Sequence, residues 1–110
     1  MSLRQGSETT HIFGNSTSGT IALVAAVPTQ RVYVYAMILT LGTPAVTVTL
    51  QDTANNALSQ AFQLLANGAI TLDVRIDSSP WWVSGTGLGI QFAQGGSTDV
   101  SYDLWYLQGQ

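Results

Sequence analysis

Val46-Thr47-Val48-Thr49-Leu50-Gln51 sets apolar and polar side chains in strict alternation. In an extended chain successive side chains point to opposite faces, so three aliphatic groups line one side and three polar groups the other. This is the pattern of a half-buried β-strand. The same period recurs on either side of it. Ile70, Leu72, Val74 and Ile76 oppose Thr71, Asp73 and Arg75, and Val100, Tyr102, Leu104 and Tyr106 oppose Ser101 and Asp103.

Apolar, β-branched and aromatic runs cover residues 20–26, 30–41, 45–51, 57–64, 69–76, 81–84, 88–93 and 98–107. Clusters of Gly, Pro, Asn, Asp and Ser separate them roughly every eight to twelve residues, the spacing of a sandwich or barrel. The fold class expected is all-β, an antiparallel β-sandwich of about eight strands with jelly-roll connectivity. In the stretch Ala54–Leu65, Leu58, Phe62 and Leu65 also have helical spacing, but its Asn-Asn start and serines favour a strand. Asn67-Gly68 predicts a hairpin, because both residues tolerate positive φ. The polar, Gly/Ser/Thr-rich stretch 1–18 reads as a flexible arm with one short strand at Ile12-Phe13, and residues 19–110 as the sandwich domain.

The run Gln30–Leu41 breaks the alternation. Val32, Val34, Ala36 and Ile38 would form one apolar face, and Tyr33, Tyr35, Met37 and Leu39 a second. A single sandwich has one core, so the second face requires another cover. Tyr and Met are enriched at protein interfaces, which makes Tyr33, Tyr35, Met37 and Leu39 the expected subunit interface.

Composition points the same way. Of 110 residues, 45 % are hydrophobic and only 8 % charged, against roughly 25 % charged in an ordinary domain. Mean hydropathy is +0.23. Lysine is absent, and the three cations are Arg4, Arg31 and Arg75. With a net charge of −3, the chain lacks the basic field that neutralises phosphates, so nucleic acid is not an expected partner. No cysteine is present, which excludes disulfides and thiolate metal sites. The start, Met1-Ser2-Leu3-Arg4-Gln5-Gly6, lacks the apolar core of a signal peptide, and no apolar run approaches a membrane-spanning helix. A soluble protein made in a cytoplasm is expected.

Catalytic motifs are not apparent. His11 is the single histidine, and without lysine there is no P-loop or Schiff base. Gly85-Thr86-Gly87-Leu88-Gly89 has the wrong spacing for a dinucleotide loop and leads into a strand, so no helix dipole would hold a phosphate. Asp73/Asp77 and Asp99/Asp103 are four residues apart, about 13 Å on extended chain, too far to share one metal ion. A loop-borne calcium site assembled across strands is the metal alternative; no cofactor is expected. Asp52 and Asp77 sit at turn starts, where a carboxylate bonds its own backbone. Asn15-Ser16-Thr17 fits a glycosylation sequon, which has meaning only in a secreted chain. The tandem Trp81-Trp82 is the one recognition candidate: adjacent strand residues face opposite ways, so one ring enters the core and the other is available for assembly or for stacking on a sugar.

The segment from about Ala26 to Leu107 resembles a group of small phage virion proteins. The resemblance rests on the strand start Gln30-Arg31-Val32-Tyr33-Val34, the strand Ala45-Val46-Thr47-Val48-Thr49-Leu50 and the turn Leu65-Ala66-Asn67-Gly68. It continues through Ser79-Pro80-Trp81-Trp82, the glycine-led strand 85–92 and the aromatic strand 100–107. The doubled Trp and the long polar loop 51–59 depart from the pattern. The resemblance implies a jelly-roll or related sandwich, often trimeric, serving as a decoration or fibre-like component. The expected function is therefore a non-enzymatic virion structural protein, made in a bacterial host. Its partners would be itself and a capsid or tail protein. The alternative is a carbohydrate-binding β-sandwich that uses an exposed Trp.

Overall fold

In the computed structural model, which describes residues 9–42, 46–77 and 79–109, every ladder between strands is antiparallel. The strands are β1 (Thr10–Val24), β2 (Arg31–Leu41), β3 (Val46–Asp52), β4 (Phe62–Leu64), β5 (Ala69–Leu72), β6 (Trp82–Val83) and β7 (Ile90–Gly109). The described residues contain no helix.

β7 is the spine. β1 follows one side of it from Thr10↔Tyr106 to Val24↔Ile90. On the other side β2 pairs with Val100–Gly109 and β3 with Ile90–Gln94, so β2 and β3 lie end to end along one strand. All three rows bend at the same level: at the register shifts between Ser16 and Gly19 in β1, between β2 and β3, and near Gly95-Gly96 in β7. A side chain at Gly95 would meet the Thr47 hydroxyl, which would have to turn away.

The bend folds the sheet onto itself. The first half holds the start of β1, the end of β7, and β2 with β5 and β6 on its far edge; the second holds the end of β1, the start of β7, β3 and β4. Met37, Leu39, Tyr102 and Leu104 from the first half meet Leu23, Val48, Leu50 and Phe92 from the second, with a residual void of only about 10 Å³. Phe92 and Tyr102 pack edge to face at 5.7 Å, and Phe62 of β4 reaches Trp82 of β6 at 6.1 Å, nearly closing the sheet into a barrel. This is an all-β architecture of the sandwich and jelly-roll class.

Several boundaries differ from the sequence expectation. Among the described residues the runs 88–93 and 98–107 join as one long strand, β7. Residues 10–18 are the first part of β1, so a boundary between arm and domain at 18/19 falls inside a strand; residues 1–8 of the expected arm lie outside the described residues. The strand 69–76 ends at Leu72, and Val74 and Ile76 stand exposed beyond it. Asn67 does take positive φ (60°), and Gly68 N–H donates to the Leu65 carbonyl at 2.9 Å. Yet β4 pairs with β3 and β5 with β2, so this turn crosses between the halves and closes no hairpin.

The largest revision concerns β2. Val34 pairs with Tyr106 and Ala36 with the adjacent Trp105, leaving Tyr35 as an extra residue. A β-bulge of this kind reverses which face the following side chains occupy. Val32 and Val34 face the core before it, and Met37, Leu39 and Leu41 after it. Met37 and Leu39, expected at a subunit interface, are each only 2 % exposed within the single chain. Tyr35 is buried and Tyr33 half-buried. One apolar face with a phase change therefore accounts for most of what the alternation alone read as two.

Candidate functional site: the outer face of the first half

Once the bulge is placed, the residues β2 turns outward are Tyr33, Ala36, Ile38 and Thr40, alternating with the core positions. Cross-strand register extends the rows. Ile38 lies beside Asp103, which lies beside Phe13; Ala36 lies beside Trp105, which lies beside His11. The odd-numbered side of β7 therefore carries Ser101, Asp103 and Trp105 away from the core, opposite Val100, Leu104 and their neighbours.

Three of these groups form a connected cluster. His11 Nε2 lies 2.8 Å from Asp103 Oδ1, with both side chains 40 % exposed. The His11 ring stacks on Trp105 at 4.3 Å and 10° between planes. Phe13 is 75 % exposed next to it. A contact this open adds under about 1 kcal/mol, so its main effect is to fix the orientation of the rings. Beyond Trp105 a groove of about 390 Å³ runs between Ala36, Ile38, Leu72 and Val74, with Asp73 at its rim. The first half thus presents an aromatic and aliphatic surface where a monomeric sheet would normally be polar.

The rings of the tandem tryptophans lie 6.3 Å apart but have different surroundings. Trp82, in β6, packs against the core and edge-on to Phe62. Trp81 lies outside the strand. Its Nε1–H donates to the Asp73 carbonyl at 2.8 Å, and the Arg75 guanidinium sits over its ring at 5.1 Å. Arg75 thus meets an aromatic ring.

The acids are engaged locally. Buried Asp52 accepts from the Ala54 and Asn56 amides at 2.9 and 3.0 Å. Asp77 accepts from the Ser79 hydroxyl and amide, and these bonds hold its carboxyl below the ordinary carboxylate range. Among the described residues no three His, Asp or Glu side chains converge as metal ligands. The buried Ser84 hydroxyl accepts from the Val32 amide at 2.9 Å and donates to the Leu88 carbonyl, tying the glycine-rich 85–89 turn to β2. That turn is braced again where Arg31 Nε donates to Thr86 Oγ1 at 2.9 Å.

The sequence singles out His11 only as the lone histidine and does not single out Trp105. Trp105 was legible, since the alternation of β7 sets it in phase with Ser101 and Asp103 on the polar side. His11 was not, because its partners lie 92 residues away.

No family model matches this sequence, and no curated protein matches it. Among solved structures, the nucleoplasmin-like N-terminal domain of Drosophila FKBP39 is similar at a TM-score of 0.45 and 16 % identity, over 94 % of this chain and 93 % of that one. A chain in the structure of infectious bursal disease virus, Gx strain, is similar at a TM-score of 0.36 and 11 % identity, over 89 % of this chain and 32 % of that one.

Proposed function

We propose that this chain is a non-enzymatic structural protein of a virus particle, which associates with copies of itself through the outer face of its first half and sits on a capsid or tail surface. The observation that carries the self-association is that face: Ile38, Val74 and Trp105 line one groove, and exposed Phe13 lies against the His11 ring that stacks on Trp105, in a chain with only 8 % charged residues. Apolar groups grouped in this way are covered in a working protein. The virion setting rests on the resemblance to small phage virion proteins, which also makes a trimer the expected unit. Trp81 supports assembly better than sugar stacking, since Arg75 already lies over its ring and its N–H is engaged.

Sedimentation equilibrium at micromolar concentration tests the association. The expected result is a multiple of 11.7 kDa. Ile38→Glu is expected to weaken the assembly by about tenfold or more, with circular dichroism unchanged. A wild-type monomer overturns the reading. For the virion role, antibody labelling of purified particles encoded by the same genome is expected to decorate the head or tail, and unlabelled particles exclude it.

A further inference from the structure

The edges of this sheet are not alike. β4, β5 and β6 are three, four and two residues long. Short edge strands offer little template to another chain, and proteins use them as protection. β1 is fifteen residues long and pairs only with β7, so among the described residues its other edge carries no ladder. From Ser16 to Val24 that edge is interrupted by three register shifts, which is also a form of protection. From Thr10 to Ser16 its register to β7 is unbroken. Those seven residues, Thr10-His11-Ile12-Phe13-Gly14-Asn15-Ser16, contain no Lys, Arg, Asp, Glu or Pro, the usual guards of an open edge.

We infer that two copies of this chain pair β1 to β1, antiparallel, across a two-fold axis at Phe13. The inference rests on the self-association proposed above and adds a specific contact to it. An extended strand matches an unladdered strand edge along its whole length. This edge complements itself. With the axis at Phe13, the two Phe13 rings face each other on the outer side, and each His11 lies opposite the partner copy's Asn15. On the inner side Ile12 lies opposite Gly14, which has no side chain to collide with it, and Thr10 lies opposite Ser16. No cross-strand pair repeats a charge, and Phe13 gains an aromatic partner. The pairing also continues the outer face, because Phe13 and His11 border the Trp105 groove.

A two-fold contact makes dimers, or hexamers when combined with a three-fold one. The expected mass is therefore an even multiple of 11.7 kDa. Because the chain has no cysteine, single cysteines report the register cleanly. Directly opposed residues in an antiparallel pair have Cα atoms about 4.5–5.5 Å apart, within disulfide reach. Under mild oxidation Phe13→Cys is expected to form covalent dimers about tenfold faster than Asn15→Cys or Thr49→Cys. Phe13→Lys, which places like charges face to face, is expected to weaken the even assembly about tenfold. A wild-type trimer overturns the edge contact and leaves the face association standing, whereas a monomer overturns both. An even assembly in which Phe13→Cys crosslinks no faster than the other two also overturns the edge contact.

Discussion

β2 and β3 lie end to end along the same side of β7 and supply the same thing to the core, a row of aliphatic side chains. They differ on their backs. Behind β3 stand Thr47, Thr49 and Gln51, and Gln91 Nε2 donates to Gln51 Oε1 at 2.9 Å and to Asn55 Oδ1 at 2.7 Å. That surface satisfies itself and meets water. Behind β2 stand Tyr33, Ala36 and Ile38, with Trp105 and His11 beside them. The core explains the inner row of both strands and the outer row of neither, and the back of β2 is the face to which the proposed association is assigned.

The sharpest way to break the comparison is to exchange inner for outer positions on β2. Leu39→Ala is expected to lower stability by about 2–5 kcal/mol, since it removes a fully packed side chain and leaves a cavity. Leu50→Ala on β3 is expected to fall in the same range. Ile38→Ala, one residue away from Leu39, is expected to cost under about 1.5 kcal/mol in the isolated subunit, and its main effect is on assembly. Urea unfolding of the subunit measures all three. Equal losses at Ile38 and Leu39 would remove the bulge at Tyr35 from the account and restore two equivalent faces.

The far edge of β2 gives a smaller contrast. Trp82 pairs with Val34 and packs on the core, while Trp81 is held outside by Asp73 and Arg75. Trp82→Ala is expected to cost about 3 kcal/mol. Trp81→Ala removes one hydrogen bond and an exposed cation–π contact, about 1–2 kcal/mol together. Thermal or urea midpoints that fall equally for the two variants would show that both rings share the core.

Why β3 was legible and β2 was not follows from the same residues. In β3 each Thr marks the wet face, so the phase of the strand is written into the sequence. In Val32–Leu39 every residue is apolar or aromatic, and such a run looks the same before and after a phase change. The bulge at Tyr35 therefore has no local signal, and Met37 and Leu39 were assigned to the wrong side of it. The turn aspartates, the alternation of β7 and the all-β class were open to reading because each rests on neighbours in sequence. The His11–Asp103–Trp105 cluster rests on the pairing of the first strand with the last, which no local pattern announces. The length of β1 was hidden for a related reason. Residues 14–20 are Gly, Asn, Ser and Thr, with little intrinsic strand signal, and their partner β7 imposes the extended form.

The smallest effect lies in the loop that carries Val74 and Ile76 away from β5. Asp77 caps the turn there by accepting the Ser79 hydroxyl at 2.7 Å and the Ser79 amide at 3.1 Å, with Arg75 adding a weaker attraction. These contacts favour the ionised carboxylate, so its folded pKa lies below the unfolded one. A depressed pKa contributes stability above the unfolded value and loses it as pH falls through the folded value. The contribution is thus complete at neutral pH and disappears only below about pH 4. Asp77→Asn is expected to flatten the acid limb of urea stability slightly below that pH, and to leave the slope between about pH 5 and 8 unchanged. An acid limb that Asp77→Asn leaves unchanged would show that the Ser79 hydroxyl and amide do not favour the ionised carboxylate, and that this turn is held by its backbone alone.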